Sequence, residues 1–222
     1  MEQKLLSEEI YEVIKRKIIN LQYVPGQILN VQQVAAELDI SRTPVREAMV
    51  RLKEDDFLEE TQSRKFRVRE ITWKYIEDLY DLRFLLESTA ISKSIDVVTE
   101  EQVNKLREYN EKMCRALAAK DYQNMFDYDY SFHAAILALY DNQLMQNVGM
   151  RFRDHQQQIR FITTGIERRM LIAGNEHESI IDGIARHDAN AAIASLSAHL
   201  HGTVDDFAQL RRENVLFGSF IK

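Results

Sequence analysis

Apolar positions recur at helical spacing over most of this chain, and the few places where the pattern changes divide it. From Ser7 to about Leu21, Ile10, Ile14, Ile18 and Leu21 share one face of a helix that Ser7 is placed to N-cap. Pro25-Gly26 then predicts a turn, and Gln27–Asn30 a short strand. Val31, Val34, Ala35 and Leu38 line one face of a second helix. After the break Asp39-Ile40-Ser41, a third helix is expected over Arg42–Asp55. Ser41 or Thr43 would cap it, with Pro44 in the first turn, where a missing N–H costs nothing. Phe57–Thr61 and Phe66–Arg69 read as two short strands about the polar, basic turn Gln62–Lys65. Helix, tight turn, helix and wing make a winged helix-turn-helix.

Beyond a boundary near Glu70–Thr72 the pattern is helical throughout. Thr72–Asp96 forms a long amphipathic helix, and Thr99-Glu100-Glu101-Gln102 is a capping box that opens another to about Lys120. Asp121 caps a helix to about Tyr140, and Asn142 begins one expected to reach about Ile172. Glu176–Arg186 follows, and Asp188 caps the last, to about Arg212. About six helices with short connections predict an antiparallel bundle. The expected fold class is therefore mainly α, with a winged helix-turn-helix over residues 1–70 and a helical bundle over residues 71–222.

Composition supports this picture and sharpens it in one respect. Two prolines and seven glycines in 222 residues favour helices over a loop-rich β-fold, and 45% apolar residues are enough for a proper core. The single cysteine, Cys114, has no internal partner, which suits a reducing cytosol. No leader pattern or membrane-length apolar run is seen, so a soluble cytoplasmic protein without a membrane partner is expected. The net charge of −6 argues at first against nucleic acid. Its distribution argues the other way: Arg42, Arg46, Arg51 and Lys53 face Glu47 alone in one stretch, and Arg64, Lys65, Arg67 and Arg69 stand together in another.

The stretch Ser41-Arg42-Thr43-Pro44-Val45-Arg46-Glu47-Ala48 opens the third helix, where a recognition helix meets base edges and phosphates. Arg42 and Arg46 are four apart and project from one face. Arginine can grip guanine O6 and N7 together, and Ser41 or Thr43 can donate to phosphate. This motif, with PG-x-x-L at Pro25–Leu29 and the helix Val31–Leu38, is similar to the N-terminal domain of the GntR family of bacterial regulators over residues 7–70. The resemblance implies that Ser41, Arg42, Thr43 and Arg46 contact operator DNA, with Gln32 as a lesser candidate. The wing departs from the family pattern. Where a glycine is usual, this chain has Ser63-Arg64-Lys65 at the tip and Asp55-Asp56 before the first wing strand, leaving Arg64 and Lys65 to hold phosphates.

In the helical region, Asp129 and His133 share a face, while His177 and His199 lie on apolar stripes with Ile180, Ile181 and Ile184 and with Ile193, Leu196 and Leu200. Each histidine alone is a core residue or a ligand. Together, one carboxylate and three imidazoles suit a divalent metal such as zinc, with manganese or nickel as alternatives. His155, His187 and His201 are expected on solvated faces. Arg83 interrupts the apolar stripe Ile76, Leu79, Leu86 and Ala90, and its partner is either Glu87, one turn on, or a bound carboxylate gripped bidentately.

Leu82-Arg83-x-x-Leu86-Glu87, Asp129-x-x-Phe132-His133, Asn142, Glu176-His177-x-x-Ile180 and Ala198-His199-Leu200 resemble the FadR-type C-terminal domain (FCD) over about residues 72–212. That resemblance implies metal ligation by Asp129, His133, His177 and His199, and an effector contact at Arg83. The resulting expectation is a homodimeric transcription regulator, not an enzyme, that binds double-stranded operator DNA and answers to a small organic acid such as a hydroxy or sugar acid. Two rivals are a metal-dependent hydrolase-like enzyme with Glu176 or Glu178 as base, and a regulator whose metal is purely structural.

Overall fold

The computed structural model describes residues 2–162 and 167–212. It contains α1 (Glu2–Ile19), β1 (Ile28–Leu29), α2 (Val31–Glu37), α3 (Arg42–Glu54), β2 (Leu58–Glu60) and β3 (Phe66–Val68). These are followed by α4 (Trp73–Ser94), a 3-10 turn (Ile95–Val97), α5 (Glu100–Ala118), α6 (Tyr122–Ala138), α7 (Gln143–Ile162), α8 (Glu167–Ala185) and α9 (Ala189–Arg212). Clustering of contacts separates residues up to Trp73, joined by Gln157–Ile162, from Lys74–Gln156 and the remaining described chain.

The first unit packs α1 and α2 on α3. Ile14 and Ile18 of α1 meet Val45, Met49 and Leu52 of α3, all fully buried, and Leu58, Phe66 and Val68 of the sheet close the same core. Ser7 does not cap α1. The helix begins earlier, because Gln3, Lys4, Leu5 and Leu6 all favour helix, and Ser7 is buried within it. Three strands form the wing, in antiparallel order β1-β3-β2, with Leu29 opposite Phe66 and Leu58 opposite Val68. The tip closes without glycine: Thr61 N–H donates to Lys65 O (2.8 Å), and Thr61 Oγ1 accepts from Lys65 N–H (3.2 Å).

In the second unit, α5 packs on α6 and α8, and α8 packs on α9. Thr99 forms the expected capping box on α5, Asp121 caps α6, and the Asp188 side chain accepts from Ala191 N–H at the start of α9. Over the helix expected from Asn142 to about Ile172, α7 is helical to Ile162 and α8 from Glu167; residues 163–166, which the expected helix included, and 213–222 of the expected bundle lie outside the described residues. Residues 173–175, expected to lie between two helices, are helical. Gly174 stands there because α8 passes close to α5: a Cβ would sit 2.7 Å from Cys114 Sγ. Gly183 answers a similar need, since a Cβ there would meet the Ala192 backbone nitrogen at 2.6 Å. Among the described residues no helix is long and apolar enough to cross a membrane.

Helix ends carry an unusual load. Leu21, Asp39, Asp56, Lys120 and His187, each just past a helix, and Arg64 in the wing turn all adopt positive φ between 54° and 64°, where a side chain crowds its own backbone. The wing positions without the usual glycine, Asp56 and Arg64, are thus left-handed all the same. Lys120 isolates the effect: its φ is 56°, its side chain is exposed, and its N–H closes the turn on Leu117 O. Lys120→Gly should raise the unfolding free energy by about 1 kcal/mol. A urea midpoint unchanged or lowered in this variant would contradict the strain.

Candidate nucleic-acid interface and metal centre

Asn30 N-caps α2 by accepting from Gln32 N–H (2.8 Å), which sets Gln32 exposed at the start of that helix. Ser41 holds the extended N-cap position of α3 (φ −70°, ψ 157°), yet its hydroxyl makes no capping bond. Pro44, Val45, Ala48, Met49 and Leu52 bury one face of α3, and this turns Arg42, Thr43 and Arg46 outward. Arg64 and Lys65 are exposed in the wing turn. The basic clusters then divide by partner. Arg51 pairs with Glu8, Lys53 with Glu60, Arg67 with Glu59 and Arg69 with Asp56. Among the described residues, Arg42, Arg46, Arg64 and Lys65 form no ion pair. The cations available to an anionic partner are therefore four of the eight, all on α3's first turns or the wing tip.

In the bundle, α6 supplies Asp129 and His133, α8 supplies His177 and α9 supplies His199; all four are buried. One nitrogen from each histidine lies within 4.8 Å of the other two. Asp129 lies beside this trio, with Oδ1 3.7 Å from His177 Nε2. His155, expected on a solvated face, is instead buried with its ring edge against Tyr75, because α7 turns it inward. His187 and His201 are exposed and lie outside the trio.

Each imidazole of the trio is held at Nδ1 by an oxygen. His133 Nδ1 stands 2.7 Å from Glu87 Oε2, His177 Nδ1 3.1 Å from Asn110 Oδ1, and His199 Nδ1 2.7 Å from Glu176 Oε2. Asn110 donates its amide nitrogen to Gly174 O and to Glu178 Oε1, so its Oδ1 is the acceptor and His177 Nδ1 the donor. A carboxylate makes the same choice at His133 and His199. With the protons on Nδ1, the Nε2 lone pairs are left to face inward, and those of His177 and His199 are 3.4 Å apart. Two lone pairs at that distance repel unless a cation lies between them. Metal–nitrogen bonds of about 2.1 Å place neighbouring ligands roughly 3.0–3.4 Å apart, so the donor set and its spacing fit a divalent ion.

Burial, and then the neighbouring imidazoles, hold His177 well below the usual histidine range. Burial also lowers His199, against the hydrogen bond that its Nδ1 donates to Glu176. Both rings are therefore neutral near pH 7, the form a metal requires. Arg169, buried on α8, donates to Glu176 (2.5 Å), to His199 O (3.0 Å) and to Thr203 Oγ1, and so braces the carboxylate behind His199. The sequence reading missed Asn110 and Arg169. Asn110 was visible in principle, as a polar break in the stripe Val103, Leu106, Met113 and Leu117. Arg169 was not, since the expected helix ran through it.

Of its two expected partners, Arg83 meets Glu87, one turn on. Its Nε donates to Glu87 Oε1 (2.7 Å), while Nη2, also buried, makes no hydrogen bond among the described residues. Burial opposes its charge, but Glu87 and Asp129 more than offset this and keep the guanidinium protonated. It lines a cavity of about 190 Å³ together with Glu87, His133, Tyr130 and Gln156. Glu176 and Glu178, offered as bases for an enzyme, are occupied by His199 with Arg169 and by Asn110.

The profile of the bacterial regulatory proteins of the gntR family matches residues 6–68, and that of the FCD domain matches residues 78–202. The chain belongs to the GntR family, in its FCD branch. This GntR regulator is a DNA-binding transcription factor, and its relatives are regulators rather than enzymes. It is 22% identical over 209 residues to the HTH-type transcriptional repressor RspR of Escherichia coli K12, covering 94% of this chain and 92% of RspR. It is 26% identical over 197 residues to the Nta operon transcriptional regulator of Aminobacter aminovorans, covering 87% and 90%. Its fold superposes on that of McbR/YncC of E. coli with a TM-score of 0.75 at 18% identity, covering 93% of this chain and 98% of the other.

The neutral imidazoles of the GntR regulator give a pH dependence with a definite sign. In metal-free protein the unfolded chain takes up protons near pH 6.5 while native His177 and His199 do not, so the unfolded state binds more protons and stability falls with falling pH. Each ring contributes a slope of up to about 1.4 kcal/mol per pH unit below that point, fully regained above it. Urea unfolding of chelator-treated protein at about pH 7.5 and about pH 5.5 should show this loss, and His177→Gln with His199→Gln should flatten it. A midpoint independent of pH in the parent protein would refute the neutral assignment.

Proposed function

We propose that this regulator holds one divalent metal per chain, most simply zinc, with manganese or nickel as alternatives, at Asp129, His133, His177 and His199. A small carboxylate bound beside it and at Arg83 then alters operator affinity. The observation that carries this reading is the set of three buried imidazoles whose Nδ1 atoms are each tied to an oxygen, leaving Nε2 atoms that converge. A bound ion would supply positive charge to neutralise Asp129 and attract an anion. Glu87, Asn110 and Glu176 orient the rings, Arg169 fixes Glu176, and Arg83 lines the cavity with Nη2 left for a carboxylate. That cavity and Arg83 Nη2 favour a ligand-responsive centre over a purely structural one.

On the DNA side, Arg42 and Arg46 would read guanine in the major groove, while Ser41, Thr43 and Gln32, with Arg64 and Lys65 of the wing, would hold phosphates. A homodimer in the cytoplasm would set two α3 helices on half-sites about 34 Å apart. The effector changes occupancy only so far as it binds the DNA-competent and incompetent dimers unequally.

Native mass spectrometry of untagged protein purified without chelator tests the centre. A dimer with one metal per chain, lost on chelation, is expected, and His133→Ala should lower the metal content. A variant with full stoichiometry and parental affinity removes His133 from the site. For the interface, Arg46→Ala should weaken binding to an operator found by site selection by about 1–3 kcal/mol and relax base preference at one position. Unchanged affinity and preference would take Arg46 out of the contact.

A further inference from the structure

The cavity beside His133 constrains the ligand beyond its charge. Leu79, Leu86, Leu137, Met150 and Phe152 make up much of its wall. Against such a surface a polyhydroxylated ligand would lose more water than the few polar groups of the wall can replace. At about 190 Å³ the space is also smaller than the roughly 300–1,000 Å³ of drug-sized sites, so it takes a compact molecule.

Two buried polar groups on this wall have hydrogen-bonding capacity unused among the described residues. One is Arg83 Nη2. The other is the side-chain amide of Gln156, 8% exposed, on α7. Gln146, which also lines the cavity, already donates to Tyr140 O. A primary amide carries two donors and an acceptor, and buried amides are normally satisfied. Gln156 lines the cavity, where its amide is open to a partner on a ligand.

We infer that the ligand is a compact carboxylate with an apolar body, aromatic or branched, bearing one further hydrogen-bonding group that Gln156 recognises, and not a sugar acid. This rests on the carboxylate reading of Arg83 given above. Arg83 takes the carboxylate, the leucines with Met150 and Phe152 take the body, and Gln156 sets specificity. A site built to hydrogen-bond a hydroxyl discriminates strongly against an analogue that lacks it.

Calorimetric titration of the zinc-loaded full chain with phenylacetate, its three monohydroxy isomers and D-gluconate tests this. Phenylacetate should bind at least about tenfold tighter than gluconate, because its ring buries apolar surface that gluconate lacks. At least one hydroxy isomer should bind tighter still. Gln156→Leu should abolish that added affinity while leaving phenylacetate unchanged, and Arg83→Ala should weaken every acid. Gluconate binding tighter than the aryl acids, yet still dependent on Arg83, would overturn the apolar class and leave the carboxylate clamp standing. Equal loss of phenylacetate and its hydroxy isomers in Gln156→Leu would overturn the role of Gln156. Binding of none of the acids to the parent protein would overturn both the clamp and the ligand class.

Discussion

Burying three imidazoles in the middle of a helical bundle is costly unless every nitrogen has something to bind, and the second unit is organised around meeting that requirement. Three different helices answer for the three Nδ1 atoms: Glu87 from α4, Asn110 from α5 and Glu176 from α8 itself. All three props are propped in turn, Glu87 by Arg83, Asn110 by Gly174 O and Glu178, and Glu176 by Arg169. Close packing of α5 on α8 and of α8 on α9 is what brings the rings within reach, and Gly174 and Gly183 are the residues that let those backbones approach. The apolar core and the polar centre are thus one construction. Phe132 stacks on His177 at 4.0 Å between ring centroids, so the same ring that presents Nε2 also fills core volume.

What could be read from the chain beforehand was whatever depends on short-range spacing. The α3 face, the Arg83 stripe and the capping residues Thr99, Asp121 and Asp188 all follow from neighbours within four residues, and they stand where periodicity puts them. The four residues proposed as ligands were legible as inward-facing positions on their helices, and their inward placement is what the fold shows. What was not legible depends on contacts distant in sequence. Asn110 meets His177 across 67 positions, and no periodic signal carries that distance. The break drawn between Ile172 and Glu176 failed because α8 runs from Glu167 to Ala185 without one, and Gly174 within it serves helix packing. His155 failed for a related reason, since the face it occupies is set by packing against Tyr75.

Charge tells a similar story in the first unit. Counting basic residues along the sequence cannot separate Arg51, which lies over the Tyr11 ring and pairs with Glu8, from Arg46, which pairs with nothing described. Exposed pairs of that kind contribute little to stability, commonly under about 1 kcal/mol. Their larger consequence is to withdraw cations from the pool that phosphates can reach. On a chain of net charge −6, the positive potential is confined to the few arginines and lysines that acids do not cover. The lack of glycine in the wing acts in the same region: Arg64 accepts a left-handed backbone, and a cation stands at the tip where a glycine would offer none.

The helix α4 joins these two chemistries through the covalent chain. It begins at Trp73, directly after the wing, and carries both Arg83 and Glu87. Glu87 accepts from Arg83 and from His133 through different oxygens, so the carboxylate couples the cavity guanidinium to the His133 ring in a single step. A carboxylate arriving at Arg83 competes with Glu87 for the guanidinium, and anything that repositions Glu87 alters the support of His133 as well. Arg83 and His133 are thus tied through one carboxylate and cannot respond independently. The residue that links them lies on the helix closest in sequence to the DNA-binding unit, which under the proposed function would make α4 the shortest covalent route for ligand occupancy to bias operator binding.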